Sequence, residues 1–368
     1  MHLSVLGWGT AIPQGILLQE EALQLAKSLC PLNEEQSNWL PKWYSQTGIK
    51  TRGIILGRQV IDDILQKENK TGSSFIPSGE PDDLGPSTAQ RMEHFQRLGP
   101  ALALSASHQA INNSNVKTEQ ITHLITVTCT GFFAPGFDYH LIQNLPLSPS
   151  ISRTQVGFMG CHGSLNGLRV GHAFINAQPD AKVLLSSLEL CSMHFHYGWD
   201  PQKIIANALF ADGAASVILG NSINSNIETW KLASSGSCII PDSASSMTWT
   251  IGDHGFEMTL AKQVPGLIQK HLKPWLENWL AKDGLELKDI KSWALHPGGP
   301  RILDAIENTL SLSPESSAIS REILSNHGNM SSATLLFILK KMMENDSPRP
   351  CVALGFGPGL AAEAALFV

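Results

Sequence analysis

The chain has 368 residues, 42% of them hydrophobic and 16% charged, with a formal net charge of −6. That length supports two core-building units or one large duplicated domain, and the composition is that of a folded chain rather than a disordered one. A mildly acidic balance gives a phosphate backbone nothing to attract, so nucleic acid is not an expected partner.

The N-terminus MHLSVLGWGTAIPQ has no basic start and no long apolar core. No later run approaches the roughly 18 uninterrupted apolar residues of a membrane span, so a cytoplasmic location is expected. The six cysteines (Cys30, Cys129, Cys161, Cys191, Cys238 and Cys351) are scattered and form no C-x-x-C pair. Neither a disulfide framework nor a four-ligand zinc site is indicated.

In chain order, HLSVLGWG predicts a short strand. ILLQEEALQLAKSL (16–29) and ALALSASHQAINN (101–113) predict helices, and HLITVTCT (123–130) a buried β-branched strand. The polar stretch 68–91, beginning ENKTGSSFIPSG, reads as a surface loop. The alternation resumes with a helix after Cys161, the strand AKVLLSSLEL, the segment IIANALFADGAASVILG and the helix VPGLIQKHLKPWLENWL. It ends with the strand SWALH, the helices RILDAIENTL and SSATLLFILKKM, and the strand PCVALGFG. This is an α/β pattern in which helices cover sheets on both faces, and the shift at GNSINSN (220–226) marks a boundary between two halves.

Three residues attract chemical interest. In GFMGCHGSLNG (157–167), Cys161 stands among glycines at the start of an apolar helix, where free backbone N–H groups and the helix dipole favour thiolate over thiol. In WALHPGGP, His296 ends a buried strand before a tight turn, and strand ends of α/β sheets gather ligand-contacting groups. In SNHGNMSSA, Asn329 precedes an apolar helix, where an N-cap and a catalytic amide look alike. Together they permit nucleophilic catalysis, with the imidazole stabilising a thiolate and imidazole plus amide donating to an oxyanion. The order Cys, His, Asn also fits a papain-like peptidase, but the cysteine and aromatic neighbours of that family's motif are missing around Cys161. CSMHFH sets Cys191, His194 and His196 at metal-like spacing, yet no further ligand cluster follows, so no metal is expected. GFGPG (355–359) resembles a dinucleotide loop without its acidic follow-up and reads better as a tight active-site turn.

The stretches THLITVTCTGFFAPGFDYHL, RTQVGFMGCHGSLNGLR, NALFADGAASVILG, WALHPGGPRILDAIE, LSNHGNMSSATLLFILKKM and GFGPGLAAE stand in one order from about residue 120 to the end. Through them the chain resembles the type III polyketide synthases of the chalcone and stilbene synthase family. The resemblance implies the thiolase fold, a layered αβαβα arrangement of two similar halves, and a homodimer. The halves are placed at 1–220, with the nucleophilic Cys, and 221–368, with the His and Asn. It also implies decarboxylative condensation of malonyl-CoA onto an acyl-CoA starter, with coenzyme A thioesters as substrates and no metal or redox cofactor. Cys161 takes the part of the acyl carrier, and His296 and Asn329 bind the extender carbonyl. Phe210 falls at the aromatic gatekeeper between coenzyme A tunnel and cavity, and Met258 at the second gatekeeper. Thr130, Ser331, His194 and Trp249 fall in the cavity, the last two bulkier than the small residues the family keeps there. Trp249 either fills cavity space or, with its strand shifted by one, points into the core. Lys50, Arg52 and Arg301 are candidates for coenzyme A phosphates.

The chain departs from the family at His162, at Ser164 and at Ala134, the last standing where many members carry a methionine that crosses the dimer interface. Two further readings stay open at this level. One is an initiating ketoacyl synthase or acyltransferase of the same fold, which would use acyl-CoA or acyl carrier protein; the other is a non-catalytic acyl-thioester-binding protein.

Overall fold

A computed structural model describes residues 3–80, 82–221 and 230–368. Of the boundary expected at 220–226, the part from residue 222 onward lies outside the described residues.

The first half opens with β1 (Leu3–Ala11), β2 (Gly15–Leu18), α1 (Gln19–Leu29), α2 (Glu34–Ser45), β3 (Thr51–Ile54) and α3 (Arg58–Gln66). It continues with α4 (Thr88–Asn112), β4 (His123–Thr128), α5 (Phe137–Asn144), β5 (Ser152–Gly157), α6 (Gly163–Ala177), β6 (Lys182–Leu190), α7 (Pro201–Leu209) and β7 (Asp212–Asn221). The second half has β8 (Lys231–Ile239), β9 (Met247–Gly252), β10 (Gly255–Leu260), α8 (Val264–Leu280), β11 (Ser292–Leu295), α9 (Pro300–Leu310), α10 (Ala318–His327), α11 (Ser332–Glu344), β12 (Cys351–Gly357) and β13 (Ala361–Phe367).

Two expectations need correction. Residues 16–18 are strand β2, paired antiparallel with β3, and not the start of a helix. The helix expected at 101–113 begins at Thr88, inside the stretch read as loop. The Ser87 hydroxyl accepts from the Gln90 N–H while Gln90 Oε1 accepts from the Ser87 N–H at 2.9 Å, a reciprocal cap that starts the helix.

Nine strands hydrogen-bond in the order β11-β12-β13-β8-β1-β7-β6-β4-β5, mixing parallel and antiparallel pairs. The halves meet where β1 and β8 share only Leu3↔Leu232 and Ser4↔Lys231. Helix α4 covers β1, β6 and β7 on one face, α8 and α9 lie in the cluster on the far side, and α6 and α11 pack between. This is the αβαβα layering. Residues 332–339 of α11 are all buried, as a helix apolar on every side requires. Leu168, Leu335 and Leu336 are fully buried there, each contributing about 1.5–3 kcal/mol. Gly163, Gly167 and Gly171 let α6 lie close to the sheet, since a Cβ at Gly167 would meet Leu185 Cδ1 at 2.6 Å. That contact fixes the level at which the residues just before α6 stand.

Candidate active site

Cys161 sits in a single 3-10 turn, Gly160–His162, that runs directly into α6. Gly160 has φ +75°, and a Cβ there would stand 2.2 Å from Pro358 Cδ, so only glycine lets the Gly357–Pro358 turn close over the nucleophile's turn. Beneath it, Cys129 Sγ accepts from the Gly160 N–H at 2.9 Å. The GFGPG segment is thus the end of β12 and an active-site turn.

Around Cys161 lies an apolar cavity, partly open to solvent, with about 400 Å³ of empty space counting that open part, lined among others by Thr130, Phe210, Trp249, Met258 and Ser331. Cys161 is half-buried because one side of it faces this cavity. Protein packs so closely around the sulfur that burial pushes the thiol up to about 12, against the Ser331 and Asn329 side chains, which bond it and pull the other way. His296 follows β11, its N–H bonded to Leu354 O at 2.8 Å, and is buried with no partner on either ring nitrogen. Burial, and then the neighbouring His162, bring it down to about 3. Burial thus acts on both groups against their charged forms. For Cys161 it opposes the helix start and the Ser331 and Asn329 side chains.

Asn329 does not cap α11, whose N-cap is Ser331. It is buried, and its Oδ1 accepts from the Ser331 N–H at 2.9 Å, which leaves the NH2 as the donor that bears on Cys161. Its backbone bridges to Phe210: the Ala211 N–H donates to Asn329 O, and the Asn329 N–H to Leu209 O, both at 2.9 Å. Phe210 and Asn329 are thereby tied together by backbone hydrogen bonds across the two halves.

Trp249 and Met258 face each other across the β9–β10 hairpin. The indole Nε1 donates to Cys129 O at 2.8 Å, so the ring belongs to the cavity wall and not to a shifted core register. His194 stands behind it, stacked on Phe256 at 4.1 Å and edge-on to Trp249 at 5.7 Å. Its Nε2 donates to Thr130 O at 2.7 Å and its Nδ1 accepts from the Phe256 N–H at 2.9 Å, leaving neither nitrogen for a metal. Burial holds this ring neutral, at about 3. It lines an adjoining compartment of about 430 Å³ with His196 and Lys203, and not the catalytic cavity itself. Among the described residues no His, Cys, Asp and Glu cluster suited to a metal occurs.

Arg52 must be withdrawn from the coenzyme A candidates: it is 1% exposed, its Nη1 donating to Asn207 O at 2.6 Å and Phe210 O at 2.8 Å. Lys50 and Arg301 are exposed on neighbouring segments, since a Cβ at Gly48 would stand 3.8 Å from Pro300 Cγ. Two residues at the departures from the family take up structural bonds. His162 Nδ1 pairs with Asn166 Oδ1 at 2.8 Å, and Ser164 Oγ donates to Ser332 O at 2.7 Å, tying α6 to α11.

Sequence reasoning missed Glu189. Fully buried beside Cys161, it accepts from Cys129 N–H at 3.0 Å, Thr130 Oγ1 at 2.7 Å and Ser332 Oγ. Burial lifts it to about 7 in spite of these donors. Its one signal in the sequence is an acid inside the apolar strand AKVLLSSLEL.

A nucleophilic thiol at a central helix start, with a histidine and an asparagine brought from the other half, is the arrangement of a thiolase-fold condensing enzyme. The profiles for chalcone and stilbene synthases match residues 2–222 (N-terminal domain) and 231–368 (C-terminal domain), and the chain belongs to that family of type III polyketide synthases. It is 30% identical to "Alpha-pyrone synthesis polyketide synthase-like Pks18" of Mycobacterium tuberculosis, over 98% of this chain and 90% of that one. To "Type III polyketide synthase C" of Arabidopsis thaliana it is likewise 30% identical, over 98% and 93%. The crystal structure of PKS-I from the brown alga Ectocarpus siliculosus superposes with a TM-score of 0.91 at 28% identity, covering 100% of this chain and 98% of that one.

Proposed function

We propose that this enzyme condenses malonyl-CoA with an acyl-CoA starter through a thioester on Cys161. The observation that carries the reading is an apolar cavity lined by the Cys161 thiol and the Phe210 ring, with the Asn329 side chain bearing on that thiol. His296 follows the end of β11 and lies beside His162, the residue after Cys161.

The starter thioester enters past Lys50 and Arg301, whose charges meet the coenzyme A phosphates. As Cys161 attacks the acyl carbonyl its proton passes to His296; the S–C bond to coenzyme A breaks, and the departing thiolate takes that proton. Malonyl-CoA follows. Its carboxylate faces the Phe210 ring, where poor solvation favours loss of CO2, and the electrons left behind become an enolate whose oxygen accepts from His296 and the Asn329 NH2. The enolate carbon attacks the Cys161 thioester, a C–C bond forms, and the Cys161 thiolate leaves. The chain has grown by two carbons. A homodimer and a cytoplasmic setting accord with this reading, and among the described residues no helix is long and apolar enough to cross a membrane.

Incubating the protein with malonyl-CoA and a panel of aromatic and fatty acyl-CoAs, with intact-mass analysis, tests it. The wild type gains the acyl mass on Cys161 and releases polyketides, while Cys161→Ala does neither. Acyl mass on another cysteine, or on the Ala variant, refutes the assignment.

A further inference from the structure

Helix α7 ends at Phe210, and each of its last carbonyls has an identified donor. Ala206 O accepts from Phe210 N–H at 3.0 Å, Ala208 O from Gln19 Nε2 at 3.0 Å, and Leu209 O from Asn329 N–H at 2.9 Å. The remaining two, Asn207 O and Phe210 O, both accept from Arg52 Nη1. A single amide would satisfy such carbonyls as hydrogen bonds. The protein instead places there a fully buried cation, held against the rings of Tyr44 and Phe195 at 5.9 Å each. The carboxyl whose charge acts on it, Asp212, gives its oxygens to Ser192 and to the Ile55 N–H. The guanidinium thus meets the carbonyl end of the helix through Nη1, while Tyr44 and Asp212 also act on its charge.

That end matters electrostatically. A helix C-terminus carries about half a negative charge, felt within its last turn. In the reading given above, the malonyl carboxylate must stand beside Phe210, the residue that closes this turn. An unneutralised helix end would repel it.

The strand that carries Arg52 also fixes the amide. Lys50 N–H donates to Ser325 O at 2.8 Å and Thr51 Oγ1 to Asn326 O at 2.7 Å. Gly328, at φ +71° just before Asn329, approaches so closely that a Cβ there would lie 3.3 Å from Arg52 Cβ and 2.8 Å from Ala211 Cβ. One strand thus clamps the gate turn and the amide turn together.

We infer that Arg52 is a positioning residue that neutralises the carbonyl end of α7 and so admits the anionic malonyl group beside Phe210 and Asn329. The inference rests on the roles proposed for those two residues, and it concerns the extender only: a neutral acyl group at the same place gains nothing from the charge.

The test compares malonyl-CoA with acetyl-CoA, which has the same coenzyme A but no carboxylate. KM for malonyl-CoA is read from CO2 release, and the inhibition constant of acetyl-CoA from competition in the same assay. Arg52→Gln keeps a donor without the charge and should raise the malonyl-CoA KM about tenfold, with the acetyl-CoA constant held within about threefold. Arg52→Lys keeps the charge without the fork and should hold the malonyl-CoA KM within about threefold at a reduced kcat. Equal changes for both ligands in the Gln variant overturn the inference, as does a malonyl-CoA KM raised about tenfold in the Lys variant, which decides the matter even if the Gln variant fails to fold. Asn329→Ala, run alongside, separates the two layers. If it releases CO2 at the wild-type rate, the underlying reading fails; if it is slow while the Arg52 variants show no carboxylate-dependent split, only the role of Arg52 fails.

Discussion

Trp249 stands, with Cys191, Phe210 and Met258, in the wall shared by the catalytic cavity and the compartment behind it. Replacing it by glycine removes the ring and leaves Met258, its cross-strand partner, as the remaining side chain of that pair. The two spaces merge, and an intermediate anchored on Cys161 gains room toward His196 and Lys203. We expect Trp249→Gly to add at least one extension to products made from a given starter. The substitution also costs stability. A fully buried tryptophan is worth about 3–5 kcal/mol on truncation. This half-buried one accounts for about 2, the lost bond from Nε1 to Cys129 O about 1, and glycine in a strand about 0.5–1.

Product chain length, by mass spectrometry from one starter, is therefore measured beside a thermal or denaturant melt. Trp249→Phe serves as the control: it loses the bond to Cys129 O but keeps a ring in the wall, and should retain the wild-type chain lengths. Unchanged products from a folded Gly variant that melts earlier would refute the reasoning. Trp249 would then be only a packing residue.

Asn329→Ala should slow CO2 release from malonyl-CoA by roughly a hundredfold or more, the loss typical of one oxyanion donor, while acylation of Cys161 falls less; single-turnover rates of the two steps check this. Glu189 ionises near 4.5 in the unfolded chain and near 7 in the fold. Between those values the folded state binds more protons than the unfolded one, so its contribution to stability falls as pH rises from about 4.5 to 7 and is level above, a loss of roughly 3 kcal/mol. Glu189→Gln should remove that slope, and parallel stability-against-pH curves for the two proteins would disprove it.

The setting of Cys161 was legible because a small set of residue types around it has few other uses: glycines for a close turn, then a helix apolar on most sides. His296 was legible for a similar reason, a strand end before Pro-Gly-Gly. What escaped depends on long-range contact. Arg52 reads as an exposed cation in GIKTRG, and only the return of α7 and α10 around it makes it a core residue. Glu189 escaped because its partners, at 129, 130 and 332, lie far away in sequence. The start of α4 escaped for a local reason: Ser87 and Gln90 form a readable cap, but the proline- and glycine-rich run before them drew the whole stretch into one loop.

The resting protonation of the site follows from the same burial that builds it. A helix start favours thiolate by an amount set by a few N–H dipoles, whereas enclosing Cys161 and His296 in protein removes the hydration that both charged forms need. For each group taken alone, burial raises the Cys161 thiol and lowers the His296 imidazole. A bound thioester changes the balance. The thiolate is consumed in forming the acyl bond, and the proton left on His296 has a departing coenzyme A thiolate to go to, so no separated pair has to persist. Reactivity arrives with the substrate and leaves with the coenzyme A.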